Sequence, residues 1–270
     1  MTLRGAAGDF EYTLILNAGP TMTEQEMSDA VELLAQAWRS GTRIEGLSVS
    51  PASVSEAHAI QDRVAAVLGE SVGAFKANAP PGLAPTRGLI YSRMIRRSAA
   101  RISPVETPDL GVEGEIAFRF MRDLPAQATA YGRAEVAGAV AVLPAIEVVS
   151  SRFRDPRSRP VLEQLADCMI NGALVAGPET HDWSHLDLPS LHVALLVNDQ
   201  PVLQRQGGHP TGDPLGVAVA LVNLMRDSGG VKAGQLVTTG SWTGLRSLTP
   251  GDRCVIQFEH LGSAEVLFDG

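Results

Sequence analysis

The chain has 270 residues, 44% of them hydrophobic, and a mean hydropathy of +0.06. That length supports a large buried core and lies near the size at which a single core stops growing. A net charge of −8, a pI near 5.3 and the lack of any Lys/Arg run argue against nucleic acid or an anionic membrane as a partner.

No apolar stretch approaches the roughly 20 residues of a membrane span. Residues 1–20 carry Asp9 and Glu11 and only a short apolar patch, which makes a poor signal peptide. Cys168 and Cys254 lie far apart, each inside an apolar pattern, with no zinc spacing. They suit free thiols in a reducing cytoplasm, the expected location.

Helices come first. Thr23 and Glu26 form a capping box, followed by Met27, Ala30, Val31, Leu34, Ala35 and Trp38 at helical spacing. A second helix opens at Ser53 with Glu56, carries Ile60, Val64, Val67 and Leu68, and stops at Gly69. After Val72 the pattern changes to short β runs broken by Pro and Gly, interrupted by two helices. One is expected over residues 158 to about 171, with Pro160 in its first turn. The other starts at Asp213-Pro214 and ends before Gly229-Gly230. Leu191, Val193, Leu195 and Val197 alternate before an Asn198-Asp199 turn and a return strand from Val202; Cys254, Ile256 and Phe258 alternate likewise. The expected class is α+β with a mainly antiparallel or mixed β core. Residues 1–70 form a helical part and residues 71–270 one compact β unit.

Three glutamates stand out. In Gly111-Val112-Glu113-Gly114-Glu115-Ile116-Ala117-Phe118, strand geometry puts Glu113 and Glu115 on one face, roughly 7 Å apart at Cα. Such carboxylates repel unless they are solvated, protonated or bridged by a cation. An exposed strand face with two solvated glutamates is the plain alternative. Glu147 counts against it, because its strand, Leu143-Pro144-Ala145-Ile146-Glu147-Val148-Val149, is too apolar for a casual surface Glu. Three carboxylates with no nearby His or Cys make an all-oxygen set suited to Mg²⁺ or Mn²⁺.

Lys76 is the next informative residue. Of 22 basic residues only Lys76 and Lys232 are lysines, so a position needing charge alone would usually be Arg. In Val72-Gly73-Ala74-Phe75-Lys76 a compact ammonium can face a pocket, donate to a carboxylate or enolate, or transfer a proton. The alternative is a strand lysine snorkelling to solvent.

Together these residues resemble the fumarylacetoacetate hydrolase superfamily, in its 2-oxopent-4-enoate hydratase and 2-oxo-3-hexenedioate decarboxylase branch, over residues 54–268. The resemblance is carried by Ala59-Ile60-Gln61, the Gly-x-x-Lys at Lys76, the Glu113/Glu115 segment and Ile146-Glu147. Ala166-Asp167, Gly208-His209-Pro210, Thr239-Gly240-Ser241 and Thr249-Pro250-Gly251-Asp252 extend it. It implies a β roll, sandwich-like and barrel-shaped, with helices ahead of it. It also implies Mg²⁺ or Mn²⁺ on Glu113, Glu115 and Glu147, Lys76 at a 2-oxo acid substrate, Thr239 and Ser241 near the substrate carboxylate, and a homo-oligomer.

The chain departs from the hydratase pattern at three places. Pro85-Thr86-Arg87-Gly88 stands where hydratases carry Pro-Asp-x-Gly, so an acid is missing. Ala166-Asp167-Cys168-Met169-Ile170-Asn171 replaces Ala-Asp-Asn-Ala-Ser-Ser, and Ala77-Asn78-Ala79-Pro80 replaces Gly-Leu-Thr-Ser. An Arg fork at Arg87 suits a second substrate carboxylate, so a preference for dicarboxylates is expected. The expected activity is hydration of a 2-hydroxydienoate or its 2-oxo tautomer, with decarboxylation as the alternative. An acylpyruvate-type C–C hydrolase ranks lower, because His58 and Glu56 lie two apart on a helix and do not face each other. A metal-fold subunit without catalysis is the remaining alternative.

Overall fold

The computed structural model describes residues 21–270, so the reading of residues 1–20 as a poor signal peptide lies outside the described residues. Helix α1 spans Glu24–Ser40 and α2 spans Val54–Leu68. Thr23 and Glu26 close the reciprocal capping box, and Gly41 and Gly69 end the helices in the left-handed conformation at φ +68°.

Thirteen strands follow among the described residues. The first four are β1 (Val72–Asn78), β2 (Thr86–Tyr91), β3 (Ile95–Arg97) and β4 (Ala100–Ile102). Next come β5 (Gly111–Phe120), β6 (Val140–Val149) and β7 (Asn171–Ala176), with the short helices α3 (Arg133–Ala137) and α4 (Val161–Ala166) between them. A hairpin of β8 (His192–Val197) and β9 (Gln200–Gln206) turns on Asn198 and Asp199, both at positive φ, as a tight two-residue loop requires. Helix α5 (Pro214–Met225) leads to β10 (Leu236–Ser241), β11 (Arg246–Ser247), β12 (Arg253–Phe258) and β13 (Gly262–Phe268).

One sheet has eight strands in the order β2-β1-β10-β5-β6-β7-β3, with β11 on β5. The other has five, in the order β4-β13-β12-β8-β9. Pairing is antiparallel except at β1–β10, β3–β7 and β4–β13, a mixed α+β arrangement. The sheets meet where Val112, Gly114, Ile116 and Phe118 turn inward. A Cβ on Gly114 would overlap the Ile256 side chain of the opposing sheet. Glu113 and Glu115 therefore take the other face of β5.

The helices α1, α2 and α4 enclose a second core. Phe153, Leu165, Ala166 and Met169, from far along the chain, complete it, so the helical part is not built from the first 70 residues alone. Helix α2 also caps the open edge of β2. The Arg87 N–H donates to His58 Nε2 at 3.1 Å, the Leu89 N–H donates to Gln61 Oε1 at 3.1 Å, and Gln61 Nε2 returns a hydrogen bond to the Arg87 carbonyl at 2.9 Å. Burial and the Arg87 charge push His58 down to about 3, so it stays neutral and acts here as an edge acceptor.

One expected element is shorter than its pattern. The helix over residues 158–171 narrows to α4 and ends at Asp167, whose carboxylate is buried against the Arg152 guanidinium, the Arg152 N–H and the Ser151 hydroxyl. Cys168, Met169 and Ile170 follow at φ 54°, 55° and 55°. Three successive non-glycine residues in the left-handed region are uncommon, above all with a β-branched Ile. Among the described residues no helix is long and apolar enough to cross a membrane, and Cys168 and Cys254 are buried free thiols.

Candidate metal centre and its surroundings

The pairing of β5 with β6 sets Glu113 directly across from Glu147, and Glu115 lies two residues along the same face. One carboxylate oxygen from each of the three comes within 4.8 Å of the others. All three residues are buried, Glu115 and Glu147 completely.

From β1, separated from β5 by β10, the Lys76 ammonium reaches over to lie 3.0 Å from Glu147 Oε1 and 3.5 Å from Glu113 Oε2. It also donates to the Met169 carbonyl at 3.4 Å, which the left-handed turn aims at it. Gly88, its cross-strand partner, lies directly under that turn; a Cβ there would overlap the Cys168 carbonyl. Asn171, at the start of β7, donates Nδ2 to Glu147 Oε1 at 3.1 Å. The Gly240 N–H donates to Glu115 Oε2 at 2.8 Å.

These partners leave Glu115 Oε1 and Glu147 Oε2 buried without a hydrogen bond. Burial first, then repulsion from Glu147 and Glu113, pushes Glu115 up to about 8. Burial also raises Glu147, against the opposing pull of Lys76. With all three carboxylates ionised, one ammonium leaves two negative charges to be neutralised, and Glu115 and Glu147 each hold one buried oxygen without a partner. A hard divalent cation fits that donor set.

The other site expectations divide. The Ser241 hydroxyl is buried without a hydrogen-bond partner, and Ser241 pairs with Glu115 across β10 and β5. Thr239 does not share that face, for its hydroxyl donates to the Ile116 carbonyl at 2.8 Å. Its neighbour Thr238 is in register with Lys76 on one side and Ala117 on the other, so it shares the glutamate face, and its buried hydroxyl has no partner. Thr238, Asn171 and the Met169 carbonyl are groups that sequence reasoning missed. The Thr238-Thr239 doublet signals a hydroxyl at this place, but only strand register chooses which one.

Arg87, expected at a second substrate carboxylate, turns its side chain away from Lys76. It pairs with Ala77 while Gly88 pairs with Lys76, so its side chain leaves on the opposite face. There its guanidinium grips both oxygens of Asp62 at 2.7 Å. Arg87→Ala is therefore expected to leave the kcat/KM ratio between a dicarboxylate dienoate and its monocarboxylate homologue within about twofold. Stability should fall by about 1–2 kcal/mol in urea unfolding, discounted because the Asp62 side chain is 57% exposed. A collapse of that ratio without loss of stability would return Arg87 to the substrate.

The sequence profile of the fumarylacetoacetate (FAA) hydrolase C-terminal family matches residues 60–267. The chain belongs to this family. A 2-hydroxyhexa-2,4-dienoate hydratase of Comamonas testosteroni is 31% identical over 158 residues, 58% of this chain and 59% of that one, so the match spans less than two thirds of the relative. A 4-oxalocrotonate decarboxylase of Pseudomonas putida is 27% identical over 128 residues, 47% of this chain and 48% of its own. Among solved structures, 4-oxalocrotonate decarboxylase from Pseudomonas putida G7, complexed with magnesium and adipate, superposes with a TM-score of 0.79 at 19% identity. It covers 93% of this chain and 100% of that chain, a likeness of fold.

Proposed function

We propose that the protein is a divalent-metal-dependent lyase that hydrates a 2-hydroxydienoate or its 2-oxo tautomer, with Mg²⁺ or Mn²⁺ held by Glu113, Glu115 and Glu147. The observation that carries this reading is the buried three-glutamate cluster with two unpartnered oxygens and Lys76 at its rim. A bound divalent ion supplies Lewis-acid stabilisation of negative charge on the carboxylate and oxo oxygens of a 2-oxo acid.

Lys76 donates from a compact ammonium to the substrate and can carry a proton to or from the dienol system. Asn171 and Lys76 hold one oxygen of Glu147 and the Gly240 N–H holds one of Glu115, so the other oxygen of each would be available to a divalent ion. Ser241 and Thr238 offer hydroxyls on the same face. The expectations of a homo-oligomer in a reducing cytoplasm, acting on a small 2-oxo acid and not on nucleic acid, belong to this reading.

One observation favours a decarboxylase as the second reading. Gly88 fills the position across from Lys76, and Thr86, where hydratases carry an acid, follows two residues away along the strand. Neither position supplies a carboxylate to activate water. Decarboxylation needs only a sink for the electrons left by CO₂ and a later proton. Ultraviolet absorbance of a dienoate panel, followed with Mg²⁺ and with EDTA, tests both. Loss of the chromophore without CO₂ supports hydration, and loss with stoichiometric CO₂ supports the second reading. Turnover undiminished in EDTA would remove the metal from both.

A further inference from the structure

We propose that His209 is a positioning residue for Glu115, acting through the Thr239–Gly240 peptide group. His209 sits in the loop ahead of α5, buried, with its ring 5.7 Å from that of Trp242. Its Nε2 lies 2.8 Å from the Thr239 carbonyl oxygen. A carbonyl only accepts, so Nε2 carries the proton. Nδ1 then accepts from the Thr211 N–H at 3.3 Å, and the ring is neutral in a single tautomer.

The Thr239 carbonyl and the Gly240 N–H belong to one planar peptide unit. Its oxygen end takes the His209 proton, and its nitrogen end gives a hydrogen bond to Glu115 Oε2 at 2.8 Å. Two consequences follow. The histidine polarises the peptide and strengthens the donor that faces Glu115. It also fixes which way the peptide points, because a flipped peptide would turn a carbonyl oxygen toward a buried carboxylate.

The local backbone is built for this orientation. Gly240 has φ +121°, a conformation that only glycine adopts without strain, and a Cβ there would press on Pro210 and approach His209 Nε2. The register between β10 and β5 also shifts between Thr238 and Ser241, so the peptide is released from the strand ladder and free to face Glu115. With Oε2 occupied in this way, the bare oxygen of Glu115 is Oε1.

The inference rests on the metal reading above for its consequence but not for its geometry, and two measurements separate them. In ¹⁵N-labelled full-length protein without added metal, His209→Phe, which keeps a ring against Trp242, is expected to move the Gly240 amide proton upfield. His209→Gln, whose amide can donate to the Thr239 carbonyl, returns it toward the wild-type position. His209→Leu replaces Phe if the larger ring disturbs the fold. In parallel, Mn²⁺ titration by calorimetry is expected to give a Kd about 10- to 100-fold weaker for His209→Phe and within about threefold of wild type for His209→Gln.

An unmoved Gly240 amide in the Phe and Leu variants overturns the proposal. Equal loss of Mn²⁺ affinity in the Phe and Gln variants also overturns it, since a merely space-filling histidine would give that pattern. Wild-type protein that takes up no Mn²⁺, while Gly240 still responds to His209, sinks the metal reading and leaves the peptide coupling standing.

Discussion

Glu115→Gln is expected to bind Mn²⁺ about 10²-fold or more weakly than wild type, and to lose turnover with it, while remaining folded. Glutamine keeps the shape and an oxygen but removes the charge, and it resembles the protonated carboxyl that burial favours here. The metal-free stabilities should therefore separate in the opposite sense to metal binding. Glu115 is raised from 4.5 to about 8 in the folded protein. Its contribution to stability is fully present below about pH 4.5 and is lost as pH rises through about 8. The glutamine variant escapes that loss, so in EDTA its melting temperature should match wild type near pH 5 and exceed it near pH 8.5. Added Mg²⁺ reverses the order, because only wild type gains the ion. The same proton makes wild-type affinity rise with pH, approaching tenfold per unit and one proton released per ion well below pH 8 and falling to about half a proton at pH 8. Calorimetry in buffers of different ionisation enthalpy measures both quantities. Wild-type Mn²⁺ affinity and kcat in Glu115→Gln, after dialysis against chelator, would falsify the three-glutamate centre.

The second large effect is expected at Lys76. Its ammonium stands between two of the three carboxylates and the Met169 carbonyl, a slot closed from behind by the turn over Gly88. A guanidinium is broader and planar and does not fit that slot as a point donor. Both Lys76→Arg and Lys76→Met should lose about 10²-fold or more in kcat, the range for a proton-transfer or positioned donor group. Metal binding should behave differently. Removing a positive charge beside three carboxylates favours a cation, so Lys76→Met should bind Mn²⁺ no more weakly than wild type once the pH is high enough to ionise Glu115, whose carboxyl rises further when Lys76 no longer holds it down. Loss of activity with metal affinity kept identifies Lys76 as a group that meets substrate. Parallel loss of both would make it a scaffold for the cluster. An Arg variant with wild-type kcat would reduce it to a source of charge.

Much of the secondary structure was written locally. The capping box at Thr23 and Glu26, the glycine stops at Gly41 and Gly69, the Asp213-Pro214 start of α5 and the Asn198-Asp199 hairpin each depend on a few adjacent residues whose hydrogen bonds close within the segment. The period-2 rule likewise put Glu113 and Glu115 on one face, and the apolar company of Glu147 marked it as unusual. The helix that stopped early at Asp167 is the instructive exception. Its apolar spacing continues to Ile170, but a buried Arg152–Asp167 pair and the approach to Gly88 override propensity there.

The sequence by itself determined the α+β class, the capped and glycine-stopped helix ends, the hairpin and the three carboxylates as candidate ligands, because periodicity and turn chemistry are short-range. Only the tertiary structure decided what those residues meet. Register opposed Glu113 to Glu147, brought Lys76 in across β10, turned Thr238 and not Thr239 to the glutamate face and sent Arg87 to Asp62. It also joined His209 to Glu115 through a single peptide group. A strand shifted by one residue presents every side chain to the opposite face, and nothing within a strand specifies that phase relative to a partner far along the chain. Burial of whole faces and closure of distant hydrogen bonds specify it, and those exist only once the sheets have assembled.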